Sequence, residues 1–501
     1  MKNLLCVLCV LCGFHSARAL DRQAFTFTDY DLQIKVTPES QFLEANGKIT
    51  LRNDTAQPQR NPVLQISSTL EWGAITVAGK TVQYLTQMYT SDIDHSGGLS
   101  EAIVTLPQPV PPQGTVQIEL AYSGKIPQDS TRLTRIGVPA ERAAHGDWDQ
   151  ISESFTGLRG IGFVAWYPIS TEAASLSEGN QVFETVKLWQ ERQRSSKMWV
   201  SICWPAPAHL VANDDPADFT GAGLGGPAGG PVTACRGLRY AQLGSTVPSF
   251  VLGSFQTLNH GPITIQYVAG HESYARTWAA AGEKVAPFIT QWFGLRKRPV
   301  QIVELPGKDM YPFEGGSVFF TPLVNGEEKD LQLALAHQLA HASFQSPRLW
   351  LDEGVAHFAQ ALEREQQDGR KAALAYMDER LLPLQEAEKE FLPSGKNSGP
   401  PATGQPLVGA TDEVFFRTKA MFVWWMLRDM VATTRWGAPS APTVLSRTKS
   451  RRTSSACWPS SSIATWNGSL TIGCTATAAC RSSTLPPSTR GSSFRKTGRS
   501  R

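Results

Sequence analysis

Apolar and polar residues alternate with period two over much of the first half of the chain. Residues 25–36, 47–52, 115–122 and 197–203 each put apolar side chains on one face and polar ones on the other, with turn residues between them. Half-buried strands carry this pattern, and it predicts a mostly antiparallel β domain over residues 20–258. The texture changes near His260. Strand patterns at 262–267 and 300–304, and an edge-like strand within 310–322, now alternate with apolar residues at helical spacing over 274–293, 331–380 and 414–430. Residues 259–431 are therefore expected to be mainly helical with a small sheet. The fold class that follows is multidomain α+β.

Residues 1–19 carry Lys2, an apolar run over 4–12 and a small-x-small end at Ala17-Arg18-Ala19. That is the layout of a cleavable secretory signal, so a secreted or periplasmic protein is expected. The run is too short for a bilayer span, and no later stretch reaches the roughly 18 apolar residues one needs. Of eight cysteines, Cys6, Cys9 and Cys12 fall in the signal and Cys457, Cys474 and Cys480 near the C-terminus. Cys203 and Cys235 remain in the body, as either a disulfide, which export favours, or two buried thiols. The glycine-rich stretch 221–231 reads as a flexible loop. It lacks the strand-to-helix setting and the Lys-Ser/Thr ending of a phosphate cradle.

Charge separates off the C-terminus. Residues 432–501 contain no Asp or Glu and eleven Lys/Arg. Removing those eleven from the chain's 47 basic residues leaves 36 against 44 acidic, a net charge of −8 for residues 1–431. The basic balance belongs to the tail alone, and no nucleic-acid partner follows from it. The tail also carries Trp and Cys, which disordered basic arms seldom do. It can be encoded so that a one-base shift from about Ala432 yields charged, amphipathic, stop-free peptide. The expectation is a reading-frame break near Val431–Ala432 and no packed fold over 432–501.

Candidate chemistry gathers in residues 331–360. His337 and His341 lie at i and i+4 among good helix formers, so both imidazoles share one helix face. A second helical pattern over 350–357 carries Glu353. Two neutral imidazoles and a carboxylate are the ligand set of a catalytic zinc site. The hydrolytic signature is H-E-x-x-H, in which the Glu takes a proton from water. Here Gln338 occupies that position. His357, four residues after Glu353, reads as a neighbour of the ligands or as a surface residue.

These segments, with others in the same order, resemble the M1 family of zinc aminopeptidases, whose catalytic domain is thermolysin-like. The resemblance covers about residues 24–430. It rests on Ala165-Trp-Tyr-Pro168, residues 198–205, Phe313-Glu-Gly-Gly316 with residues 319–322, His337-Gln-x-x-His341, Trp350-Leu-Asp-Glu-Gly354 and Phe416-Arg-Thr-Lys-Ala420. It implies one zinc ion held by His337, His341 and Glu353. It also implies that Glu314 holds the free amino terminus of a peptide or protein, the alternative being a solvated loop carboxylate. Three departures matter. Gln338 stands at the general-base position, Phe416 stands where a tyrosine hydroxyl would stabilise an oxyanion, and Gly315 replaces the Asn after the amine-binding Glu. The eleven residues between His341 and Glu353 also make a shorter connection than the family's.

Two functions follow. One is an exported zinc metallopeptidase of aminopeptidase type with weak or absent turnover. The other is a non-catalytic peptide-binding or scaffold protein of the same fold.

Overall fold

The computed structural model describes residues 20–179, 181–215, 223–225, 233–295, 299–346, 348–390, 406–410 and 412–434. The signal call, residues 1–19, lies outside them, as does the tail call except for 432–434. Those three residues complete a helix, Ala420–Thr434.

The period-two segments form strands because each can bury one face. The strand Phe25–Thr37 alternates buried and exposed residues along most of its length. It lies near the middle of an eight-stranded sheet ordered Gly223–Gly225, Thr233–Tyr240, Lys197–Pro205, Phe25–Thr37, Phe42–Asn53, Thr115–Lys125, Leu70–Val77, Lys80–Thr81. Two smaller three-stranded sheets complete the β region. The segment Ala165-Trp-Tyr-Pro168 runs through its core. Trp166 and Tyr167 are fully buried, and the Tyr30 and Tyr122 hydroxyls donate to the Pro168 and Trp166 carbonyls at 2.9 and 3.0 Å.

Three details differ from the sequence expectation. The large sheet is mixed, because Phe25–Thr37 and Lys197–Pro205 run parallel, with Leu32 opposite Val200. More than 150 residues separate them, enough for the crossover that parallel neighbours require. Three helices, Thr131–Arg135, Ala140–Gly146 and Gln181–Arg192, sit within the β region. The glycine-rich stretch expected to be a loop contributes the short strand Gly223–Gly225, paired with Thr233–Tyr240. Cys203 and Cys235 are directly opposite on adjacent antiparallel strands and form a disulfide.

Phe255–His260 begins the second sheet, ordered Phe255–His260, Ile263–Val268, Val300–Glu304, Val318–Thr321, Phe313–Gly315. Its middle pairs are parallel and its two outer pairs are hairpins. The long helix Glu272–Phe293 makes the first crossover and packs with Glu328–Ser343, which in turn packs on Leu349–Asp368. The outer strand Phe313–Gly315 is tied back to the β region. The Trp148 indole donates to the Tyr311 carbonyl at 3.0 Å, and the Phe163 and Phe313 rings meet edge to face at 5.3 Å.

The chain divides into two compact units, residues 1–424 and 425–501. In the second, described to Thr434, Arg428 lies over the Trp425 ring at 3.8 Å and pairs with Asp429 at 3.2 Å. Among the described residues no helix is long and apolar enough to cross a membrane.

Candidate metal centre

The helix Glu328–Ser343 opens on Glu328 and Asp330, which favour the positive end of its dipole. Nearly all its residues from Leu331 to Ser343 are buried, as suits a helix with apolar residues on all sides. His337 and His341 are therefore held one turn apart inside the protein, each about 5 % exposed. Their Nε2 atoms point at each other across 3.1 Å.

Two carboxylates close on this pair from separate elements. Glu353, in the second turn of the helix Leu349–Asp368, sets Oε1 3.7 Å from His341 Nε2 and Oε2 3.9 Å from His337 Nε2. Glu314, on the outer strand Phe313–Gly315, sets Oε2 2.8 Å from His337 Nε2 and 3.8 Å from His341 Nε2. One ligand atom from each of the four residues lies within 4.8 Å of all the others. The three residues read from the sequence as metal ligands thus come together, and Glu314 joins them.

This donor set fits zinc. Zinc takes histidine nitrogens at about 2.0–2.1 Å in tetrahedral geometry, which puts two ligand atoms roughly 3.3 Å apart. The two Nε2 atoms, 3.1 Å apart, already stand near that separation. On its other side His341 has Asp352 Oδ2, 3.5 Å from Nδ1. A carboxylate behind a metal-binding imidazole fixes its tautomer and raises its basicity. His337 has no such support among the described residues, where its buried Nδ1 meets no partner.

Electrostatics follow the same contacts. Burial alone would raise the Glu314 carboxyl, but the charge and hydrogen bond of His337, with His341 and Arg417, hold it well below the usual carboxylate range. Burial alone would lower His337, and Glu314 together with Glu353 more than offsets it, so the imidazole is raised. Burial pushes Asp352 up to about 6 against the pull of His341. Burial and the charges of His337 and Arg417 push His357 well below its ordinary value, leaving it neutral. Its ring packs edge to face on His337 at 4.9 Å.

Gln338 and Phe416 are placed differently from the ligands. Gln338 is fully buried, and neither of its amide atoms has a hydrogen-bonding partner among the described residues. Phe416 is buried in a π-helical turn, Val414–Lys419. The next residue in that turn, Arg417, donates from Nε to Glu353 Oε2 at 3.2 Å. Arg417 and Asp352 lie inside quoted motifs, but the sequence reading gave neither a role. Their signal was a charged side chain set in a locally apolar segment.

No family model matches the chain, and no curated protein matches it. Solved structures do. The chain is similar to an M1 zinc metallopeptidase from Deinococcus radiodurans at 18% identity and a TM-score of 0.47, covering 82% of this chain and 84% of that one. It is also similar to a mutant of that protein bound to a Tyr-Ser-Ala substrate, at 18% identity and a TM-score of 0.48, covering 83% and 85%. A two-domain M1 zinc metallopeptidase mutant bound to L-tryptophan gives 18% and 0.47, covering 82% and 85%. At 18% identity the similarity assigns no role to any residue.

Proposed function

We propose that this is an exported protein of zinc-metallopeptidase type, M1-like in architecture, that holds zinc at His337, His341 and Glu353 and hydrolyses peptides weakly or not at all. The observation that carries the reading is the convergence of two imidazoles and a carboxylate from two buried helices on one point. A zinc ion held there supplies Lewis acidity toward a carbonyl group or a water molecule. The Cys203–Cys235 disulfide supports export, because such bonds persist in oxidising compartments.

The surrounding residues supply little of the remaining chemistry. Gln338 is neutral and cannot take up a proton, and it is sealed among buried residues. Phe416 has no hydroxyl to offer a developing oxyanion. General acid–base catalysis is worth roughly 10²–10⁴ in rate, and one oxyanion donor about 10²–10³. These terms do not simply add, but a site lacking both retains little turnover. A peptide or protein amino terminus is the partner the resemblance implies. Glu314 Oε2 already meets His337 Nε2 at 2.8 Å, so a bound ammonium would share this carboxylate with the imidazole. That sharing favours a metal-holding, non-catalytic protein as the second reading.

Zinc content and aminoacyl-substrate turnover of the purified chain test the proposal, with His341→Ala as control. The expected result is zinc in the unaltered chain, little in the variant, and turnover near background. Robust zinc-dependent hydrolysis would overturn the weak-activity reading. Equal metal in both proteins would overturn the metal site.

A further inference from the structure

Glu314 lies closer to His337 than Glu353 does, and nearly as close to His341. Its Oε2 is 2.8 and 3.8 Å from the two Nε2 atoms, against 3.9 and 3.7 Å for the Glu353 oxygens. Local backbone geometry explains this. Gly315 pairs with Val318, so Gly316 and Ser317 form a two-residue hairpin turn. Gly316 takes φ +64°, which favours glycine. A Cβ on Gly315 would lie 2.7 Å from Asn213 Nδ2 and 3.3 Å from its Cβ, so glycine eases the close approach of this strand to Asn213. The turn fixes the register, and Glu314 falls opposite Phe319, one pair in from the turn. Phe313, beside it, stacks on Phe320 at 5.9 Å and meets Phe163 edge to face. The carboxylate is thus presented to the histidines from a braced hairpin.

We infer that Glu314 is a fourth metal ligand, which closes the coordination sphere of His337, His341 and Glu353 instead of anchoring a substrate amine. The inference rests on the reading of those three residues as ligands given above. Two imidazoles and two carboxylates complete a tetrahedral set, and a closed set marks a structural zinc site, whereas a catalytic one keeps a position open. Charge supports the assignment. Two carboxylates neutralise a divalent cation, and Arg417, beside Glu353 at 3.2 Å, opposes a second cation such as a substrate ammonium. The site then serves as a fixed metal centre joining the outer hairpin to the two helices.

Cobalt(II) loaded into the full chain tests this, with azide as the probe for an exchangeable position. The unaltered protein should give a four-coordinate visible spectrum that azide does not change. Glu314→Gln should hold Co(II) and Zn(II) at least tenfold more weakly in chelator competition, since even residues behind the ligands are worth about 10–100-fold. Its cobalt spectrum should respond to azide. Azide-induced bands in the unaltered chain, which need no variant to observe, would overturn the assignment, as would undiminished affinity in Glu314→Gln. His341→Ala separates the two levels. If it loses metal while Glu314→Gln does not, only the fourth ligand is wrong. If His341→Ala also keeps full affinity, the metal centre itself is wrong.

Discussion

Asp352 Oδ2 stands 3.5 Å from Nδ1 of His341, on the side of the ring away from the ligand cluster. The next residue, Glu353, reaches the other nitrogen of the same ring, with Oε1 3.7 Å from Nε2. Consecutive carboxylates on one helical turn therefore bracket one imidazole. Asp352 Oδ1 is meanwhile occupied by the Ser346 backbone N–H at 2.9 Å. Asp352→Asn keeps an acceptor for Ser346 but removes the charge behind the ring. Zinc affinity should fall about 10–100-fold, with little change in fold. Chelator competition and circular dichroism would check both halves of this.

Metal binding should depend on pH in one direction. The His337 imidazole is raised above its ordinary value of about 6.5, so its proton competes with metal already near neutrality. Asp352, pushed up to about 6, loses its charge as pH falls further and weakens its hold on His341. Glu314 is held low and stays ionised throughout. Zinc affinity should decline continuously from pH 8 to 5.5 in calorimetric titrations. A flat profile over that range would contradict the assignment of His337 as a ligand.

Gln338 offers a stability test. Both atoms of its amide are buried without partners among the described residues, and an unsatisfied buried polar group costs about 1–3 kcal/mol. Gln338→Met keeps the length and removes the polar atoms, so it should raise the urea midpoint, by about 1 kcal/mol or more in stability. Gln338→Glu should lower it, because a carboxylate in the same place is costlier still.

In the β region Arg159 is buried between the Trp148 and Phe163 rings, 4.0 and 3.7 Å from their centroids, and pairs with Asp149 at 2.6 Å. Asp149→Ala would strip that buried cation of its direct ion-pair partner, at a cost of about 3–5 kcal/mol. Phe163 also packs on Phe313, so the loss should reach the Glu314 strand and weaken zinc binding as well. Unfolding in urea and zinc titration of the one variant measure the two effects.

Cys203→Ser with Cys235→Ser should lower stability by about 2–4 kcal/mol, because the bond closes a loop of moderate length in the unfolded chain. The residues are 32 apart in sequence. Denaturation with and without reductant should show the same difference in the unaltered protein and none in the double variant.

What the sequence determined by itself was local. The i, i+4 spacing of His337 and His341 needs only a helix to bring the rings together, and helix Glu328–Ser343 does so. The strand Val300–Glu304 was likewise legible from its own residues. The motif order placed Glu353 with the pair by resemblance, and the structure sets its carboxylate within 4 Å of both rings. What tertiary structure decided was every relation that depends on register or on distant packing. Glu314 reaches His337 only because a two-residue turn sets the strand pairing and the hairpin is braced from the β region. Arg417 meets Glu353 across 64 residues. The parallel pairing of Phe25–Thr37 with Lys197–Pro205 depends on chain connection rather than on either strand's alternation. Periodicity reports which face of an element is buried, but carries no information about which other element, or which of its residues, lies against that face.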